Sequence, residues 1–399
     1  MTAPVAPGAA RPLFGSFFLG GFECSNHRRA DGRRLDLLAA TGHDRLALAD
    51  YRALQAAGLR AARDGLRWPL IETRAGHYDW SSLRPMLQAV RESGIQPLWD
   101  LCHYGWPDDI DIWDDAFVER YAAFAVAAAR FLREEGCGSL LCPINEISFW
   151  AWAGGEVGTM NPGANGRGAA LKRQLVLAAV TAMRRIRAED PAACFVFAEP
   201  IIHVDGGSGP ARHRRDAENY RLSQFETFDM ITGRSAPELG GAPDLLDVVG
   251  VNFYPDNQWY LGGSTIPLGH HAYRPLRTML GEVHQRYGKP IIISETGAEG
   301  TARPAWLHYV AGEAAAAIAA GARIEGICLY PVLDCVGWEG NRVCPVGLFS
   351  EADENGRRRI DVDFGHELGW QQERIAALER AVRRGPDLRA PLFLVRNAP

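Results

Sequence analysis

The sequence predicts an α/β chain folded as a closed (β/α)8 barrel, and three observations predict it. Eight short apolar runs, most of them continuous rather than alternating, read as parallel strands covered on both faces. Eight longer stretches with apolar residues at helical spacing lie between them in strict alternation. No G-x-G-x-x-G follows the first strand, which removes the main support for a doubly wound nucleotide-binding sheet built from the same units.

Strands are expected at 14–23, 61–68, 96–103, 140–146, 193–200, 245–254, 290–297 and 324–334. Helices are expected at 46–58, 82–94, 115–136, 168–190, 217–233, 274–288, 302–321 and 370–384. The first three helices end at Gly58, Gly94 and Gly136, and the second and third start at the capping residues Ser82 and Asp115. No linker or compositional break divides the chain, so 1–399 reads as one domain, with a short flexible start at about 1–12 and a tail at about 385–399. The tail carries Pro391-Leu-Phe-Leu-Val395, read as packing on the barrel in preference to a subunit contact, so a homo-oligomer is left open.

Composition narrows the function classes. A net charge of -5 argues against a nucleic acid partner. No apolar run reaches the length of a membrane span. The start is Pro/Ala-rich with no basic lead-in, unlike a signal peptide, and the eight cysteines are scattered with no C-x-x-C, so reduced thiols in a cytoplasmic protein are expected. His203, His213, His270 and His271 fall in loops beyond the strand ends, and neither metal nor cofactor is expected. Only two of the 43 basic residues are lysines, Lys172 and Lys289; the arginine excess reads as compositional bias.

The active site of such a barrel lies at the C-terminal ends of its strands. Those ends carry Glu23, Asn26 and His27, then Arg63, His103, Asn145 with Glu146, Glu199, Asn252 with Tyr254, Glu295, and after the last strand Trp338 and Glu339. Two apolar runs stop abruptly at glutamate: Leu140-Leu-Cys-Pro-Ile-Asn-Glu146 and Pro290-Ile-Ile-Ile-Ser-Glu295. Burial gives no reason for a carboxylate there, since an unpaired buried one is costly. Strands four and seven face each other across an eight-stranded barrel. Two carboxylates across a cleft suit glycosidic cleavage, one protonating the leaving oxygen and the other attacking, with retention at about 5–5.5 Å separation and inversion at about 6.5–9.5 Å. Glu199 also ends a strand and is the rival to Glu295.

The chain resembles glycoside hydrolase family 1 of the (β/α)8 glycosidases. Asn145-Glu146-Ile-Ser-Phe-Trp150 resembles the Asn-Glu-Pro segment of that family, and Ile293-Ser-Glu295-Thr-Gly297 resembles its nucleophile segment. Further matches are Phe17-Phe-Leu-Gly-Gly21, the stretch 63–69, Cys102-His-Tyr-Gly-Trp-Pro107, the stretch 155–163, Asn252-Phe-Tyr254, Leu333-Asp334 with Trp338, and Gly347-Leu-Phe349. They span about residues 14–384, and their order carries the resemblance. It implies a retaining hydrolase of β-glycosides with a carbohydrate substrate. Glu146 matches the general acid/base and Glu295 the nucleophile. Arg63 and Tyr254 match the residues beside that nucleophile, while His103 and Asn145 match positions that hold sugar hydroxyls. A transglycosidase with the same two glutamates and a catalytically silent carbohydrate-binding barrel are the alternatives.

Two departures bear on the substrate. The family has a Gln after its first strand where this chain reads Glu23-Cys-Ser-Asn-His, and a Glu where this chain has Gly337. Glu23, Asn26, His27 and Glu339 are the candidate replacements, with Trp150, Asn252 and Trp338 as further contacts to substrate. Four arginines in 28–34 would favour an anionic sugar if they lined the pocket, but a solvated loop paired with Asp31, Asp36 and Asp44 is the preferred reading. Trp99, Trp106, Trp113, Trp150 and Trp152 are candidate platforms for the leaving-group side.

Overall fold

The structure is a computed structural model that describes residues 12–338, 340 and 342–383. Eight parallel strands close on themselves: β1 (Phe18–Gly21), β2 (Ala61–Gly65), β3 (Gln96–Asp100), β4 (Leu140–Cys142), β5 (Cys194–Pro200), β6 (Val248–Asn252), β7 (Ile291–Thr296) and β8 (Ile324–Leu329). Each pairs with its sequence neighbours, and β1 joins both β2, with Gly20 opposite Ala62, and β8, with Gly20 opposite Leu329. The continuous apolar runs follow from this closure. Leu19, Ala61, Leu98, Val196, Val248, Ile292 and Cys328 fill the barrel interior in one buried cluster, while intervening residues pack outward against the helices in a second.

The outer helices are α1 (His43–Ala56), α2 (Arg84–Ser93), α3 (Asp115–Glu134), α4 (Gly168–Glu189), α5 (Ala211–Leu222), α6 (Leu276–Tyr287), α7 (Ala302–Ala319) and α8 (Val362–Arg383). Three elements differ from expectation for identifiable reasons. β4 stops at Cys142, because Pro143 has no N–H for the ladder, so Asn145 and Glu146 lie beyond the strand. The helix expected at 217–233 is broken at Ser223–Phe225 and resumes at Glu226–Ile231. There the buried Gln224 accepts the Ile202 N–H at 2.9 Å and donates to the Arg221 carbonyl, tying the chain to the loop after β5. α8 begins eight residues before 370, because Asp361 accepts the Phe364 N–H at 2.9 Å and caps a first turn whose Gly365 and His366 hide the apolar period.

All eight cysteines are free thiols. Among the described residues no helix is long and apolar enough to cross a membrane. The segments 1–11 and 384–399, with the tail's apolar run, and Glu339 lie outside the described residues.

Candidate active site

Arg63, in the last half of β2, is fully buried at the centre of the barrel mouth. Its guanidinium donates through Nε and Nη2 to both oxygens of Asp100, at 2.9 and 2.7 Å. Nη2 also donates to Asn145 Oδ1 at 2.7 Å, and Nη1 to the Ser294 carbonyl at 3.1 Å and Glu295 Oε1 at 2.7 Å. Every guanidinium N–H is thereby occupied. The other oxygen of Glu295 accepts the Tyr254 hydroxyl at 2.9 Å. The β7 carboxylate is held at both ends, with a fixed positive charge on one.

Glu146 sits in a left-handed turn, φ +43°, between β4 and a short helix, Ile147–Trp150. Its Oε1 accepts the Asn252 amide at 2.8 Å, and its Oε2 accepts the Tyr104 hydroxyl. Ser294 Oγ donates to Asn252 Oδ1 at 2.6 Å, which fixes the amide so that its NH2 faces Glu146. Asn145 Nδ2 donates to the Tyr104 oxygen at 3.0 Å, so the phenol is oriented from behind.

These surroundings separate the two acids. Burial raises both above the ordinary glutamate range. On Glu146 the Glu295 charge adds to burial and overcomes the Tyr104 and Asn252 bonds, pushing it up to about 8. On Glu295 Arg63, His103 and the Tyr254 bond pull the other way. Glu295 therefore ionises first and Glu146 keeps its proton. Glu199, fully buried at the end of β5, is pushed up to about 7 by burial. It does not line the cavity; it accepts the Ser148 N–H at 3.0 Å, at the start of the helix that follows Glu146.

Glu146 and Glu295 share a cavity of about 850 Å³. Glu23, His103, Tyr104 and Tyr254 stand on its wall beside them. Farther out the wall is largely aromatic: Phe149, Trp152, Tyr220, Trp259 and Trp338. That volume is of small-molecule size, and one carboxyl poised as an acid beside another held as an anion is equipped for acid–base and nucleophilic chemistry.

No family model matches the sequence, and no curated protein matches it. Solved structures do. A family 1 β-glucosidase from Thermotoga maritima superposes with a TM-score of 0.72 at 16% identity, covering 92% of this chain and 99% of that one. The virulence factor SghA from Agrobacterium tumefaciens gives 0.74 at 16%, covering 90% and 97%. The AHE enzyme from Alicyclobacillus herbarius gives 0.72 at 19%, covering 92% and 99%. The fold is that of the family 1 β-glucosidases.

Within this family 1 fold, the structure brings Arg63, Asn145, Glu146, Asn252, Tyr254 and Glu295 into one hydrogen-bonded set. Arg63, Asn145 and Asn252 stand behind the cavity wall and reach it through the two glutamates, His103 and Tyr104. Four of the expected substrate contacts, Asn26, His27, Trp150 and Asn252, do not line the cavity. Asn26 is buried against Gly105, where a Cβ would fall 1.5 Å from its Oδ1. His27 packs edge-on against Trp338, centroids 4.8 Å apart, and burial pulls its pKa down to about 3, so the ring is neutral. Trp150 is fully buried and donates to the Asn161 carbonyl at 2.9 Å. Of the five candidate tryptophan platforms only Trp152 lines the cavity; it is 47% exposed, and its neighbours on that wall, Phe149, Tyr220 and Trp259, were not singled out from the sequence. Trp113 lies instead under the Arg167 guanidinium at 3.5 Å.

The arginines of 28–34 do not line the cavity. Arg28 and Arg34 both pair with Asp108, and Arg29 pairs with Asp31 at 3.2 Å. Cys24, Asp100 and His103 are close enough together to hold a metal, but both Asp100 oxygens are already occupied by Arg63. Tyr104 was quoted in a sequence motif without a role. Its φ of +67° and its bond to Glu146 are the signs of one.

Proposed function

We propose that the chain hydrolyses β-glycosides by double displacement, with Glu295 as nucleophile and Glu146 as general acid/base. The carrying observation is the opposed treatment of two carboxyls on one cavity. Glu295 is fixed as an anion between Arg63 and Tyr254, and Glu146 is kept protonated by burial and by the Glu295 charge. The order of the family 1-like motifs and the shared fold with solved β-glucosidases support the same reading.

In the first step a Glu295 oxygen bonds to the anomeric carbon while the glycosidic C–O bond breaks. The leaving oxygen takes the Glu146 proton, and the glycosyl group stays as an ester on Glu295. That ester removes the negative charge beside Glu146, so Glu146, now ionised, is acid enough to remain so. It then takes a proton from water, whose oxygen bonds to the anomeric carbon as the ester bond breaks, and both carboxyls return to their starting forms. Asn252 and Tyr104 hold the anionic Glu146 between the steps. The aromatic outer wall suits a leaving group with a flat apolar face.

The test is labelling with a 2-fluoro aryl β-glycoside followed by peptide mapping. The ester is expected on Glu295. Glu146→Ala is expected to retain the labelling step with activated leaving groups, to lose turnover, and to regain it with azide. A label on Glu199, or an inverted product seen by NMR at early times, would overturn the assignment.

A further inference from the structure

Glu146 occupies a backbone position that its own side chain does not secure. β4 ends at Cys142, and the chain then leaves the sheet and turns through Glu146, at φ +43° and ψ +59°, into the short helix Ile147–Trp150. That left-handed conformation is uncommon for a residue with a Cβ, so it persists only where neighbouring contacts hold it. Two backbone bonds do part of this. The Asn145 N–H donates to the Cys102 carbonyl and the Glu146 N–H to the Ala198 carbonyl, both at 3.0 Å.

The start of the helix needs a further partner. The first N–H groups of a helix have no acceptor within it, and the residue before the first turn commonly supplies a side-chain oxygen. Here that residue is Glu146. Its carboxyl oxygens take Asn252 and Tyr104 at the cavity instead, and it makes no cap bond.

Glu199 supplies the missing oxygen from another strand. Fully buried at the end of β5, it accepts the Ser148 N–H through Oε2 at 3.0 Å, with Oε1 at 3.4 Å. Ser148 Oγ and Thr227 Oγ1 lie 2.8 Å apart, which ties the same turn to the helix Glu226–Ile231. Glu199 does not line the cavity, and its hydrogen bonds among the described residues go to the Ile147–Ser148 turn. A buried carboxyl is costly, and this turn is what it serves.

We infer that Glu199 is the positioning residue for Glu146: by capping the helix that Glu146 leaves uncapped, it fixes the left-handed turn that aims the Glu146 carboxyl into the cavity. It touches no substrate and acts through the backbone at Ser148. The kinetic consequence rests on the acid/base role proposed above for Glu146. A misplaced Glu146 fails to protonate the leaving oxygen, which matters for a leaving group that needs a proton and little for one that departs as a stable anion.

The experiment measures kcat/KM, which reads the glycosylation step, on phenyl and 2,4-dinitrophenyl β-glucoside. It compares the full-length chain with Glu199→Ala and Glu199→Gln, with Glu146→Ala as reference. Glu199→Ala is expected to lose about tenfold or more on the phenyl compound, a fraction of what a positioned general acid contributes, and less than about threefold on the dinitrophenyl one. Glu199→Gln keeps an acceptor oxygen at the same reach and is expected to restore both. Glu199→Leu, which fills the space without an acceptor, replaces Glu199→Ala if that variant does not fold. A crystal structure of the acceptor-less variant is expected to show the 146–148 turn displaced and the Glu146 bonds to Asn252 and Tyr104 broken. An equal loss on both substrates, no rescue by Glu199→Gln, or a Glu146 that stays in place would overturn the inference and leave the hydrolase reading intact. If Glu146→Ala itself shows no bias between the two substrates, the acid/base assignment fails instead, and the crystal structure still decides whether Glu199 sets the turn.

Discussion

Arg63 brings together what is demanding about this site: a fully buried cation whose five N–H groups all have partners, three of them on the carboxylates of Asp100 and Glu295. Lysine carries the charge but not the planar fork, and it cannot reach Asp100, Glu295 and Asn145 together. Arg63→Lys is therefore expected to lose about 3–5 kcal/mol of stability, as when a buried ion pair is broken. It is also expected to cut kcat/KM more than a hundredfold; a melting curve and a rate assay check both. Tyr104 gives a subtler test. Its bond lowers the Glu146 pKa, which burial and the Glu295 charge nevertheless hold up at about 8. In the proposed cycle Glu146 starts protonated, so kcat/KM is expected to fall as pH rises through that value. Tyr104→Phe removes stabilisation of the anion, and the basic limb of the pH profile is expected to move to higher pH. A limb that stays in place would separate Tyr104 from Glu146. Glu295 and Glu146 could be read from the sequence because each ends an apolar run that gives no other reason for a carboxylate. Tyr104 could not, since nothing in Cys102-His-Tyr-Gly shows which loop residue turns inward.

The elements around the site act as its frame. The loop after β3 carries both His103 and Tyr104, and it passes so close to the loop after β1 that only glycine fits at Gly105, with Asn26 Oδ1 and the Asn26 carbonyl within 2.7 Å of any Cβ. Gly105→Ala is expected to push these loops apart, costing about 1–3 kcal/mol as overpacking does. It should lower activity further by moving Tyr104; thermal denaturation beside kinetics separates the two. The same crowding explains the misplaced residues. Glu23, Asn26 and His27 follow one another on a loop, and the sequence offers no period to say which faces the cavity; the structure shows Glu23 on its wall and the other two packed behind it. The aromatic wall was hard to foresee for another reason. Phe149 and Trp152 follow β4, but Tyr220 is on α5 and Trp259 on a short strand that pairs with His203–Asp205, so the set exists only through tertiary packing.

For the whole molecule, the barrel was legible because eight apolar runs at regular spacing have few ways to be buried together, whereas its buried charges were not. Glu146, Glu199 and His43 are among the groups that set how stability varies with pH. Burial raises Glu146 to about 8 and Glu199 to about 7, so the folded chain binds those protons more tightly than the unfolded one, and stability falls as pH rises from the ordinary glutamate value near 4.5 toward 8. His43 works in the same direction. Burial opposes its charge, but Asp64 and Asp50, at 2.9 and 2.8 Å, raise it to about 9, so its contribution is full below about 6.5 and lost as pH climbs through 9. Asp50 and Asp100 are shifted downward, and their contributions are lost only below the ordinary aspartate range. The melting temperature is thus expected to be highest near pH 5 and to decline steadily to pH 9. Glu199→Gln supplies the control. The amide oxygen still accepts the Ser148 N–H, but no charge appears at high pH, so the variant should gain on the unaltered chain between pH 5 and pH 8, when the two are melted side by side. An equal difference at both pH values would mean that Glu199 does not titrate in this window and that the slope comes from Glu146 and His43.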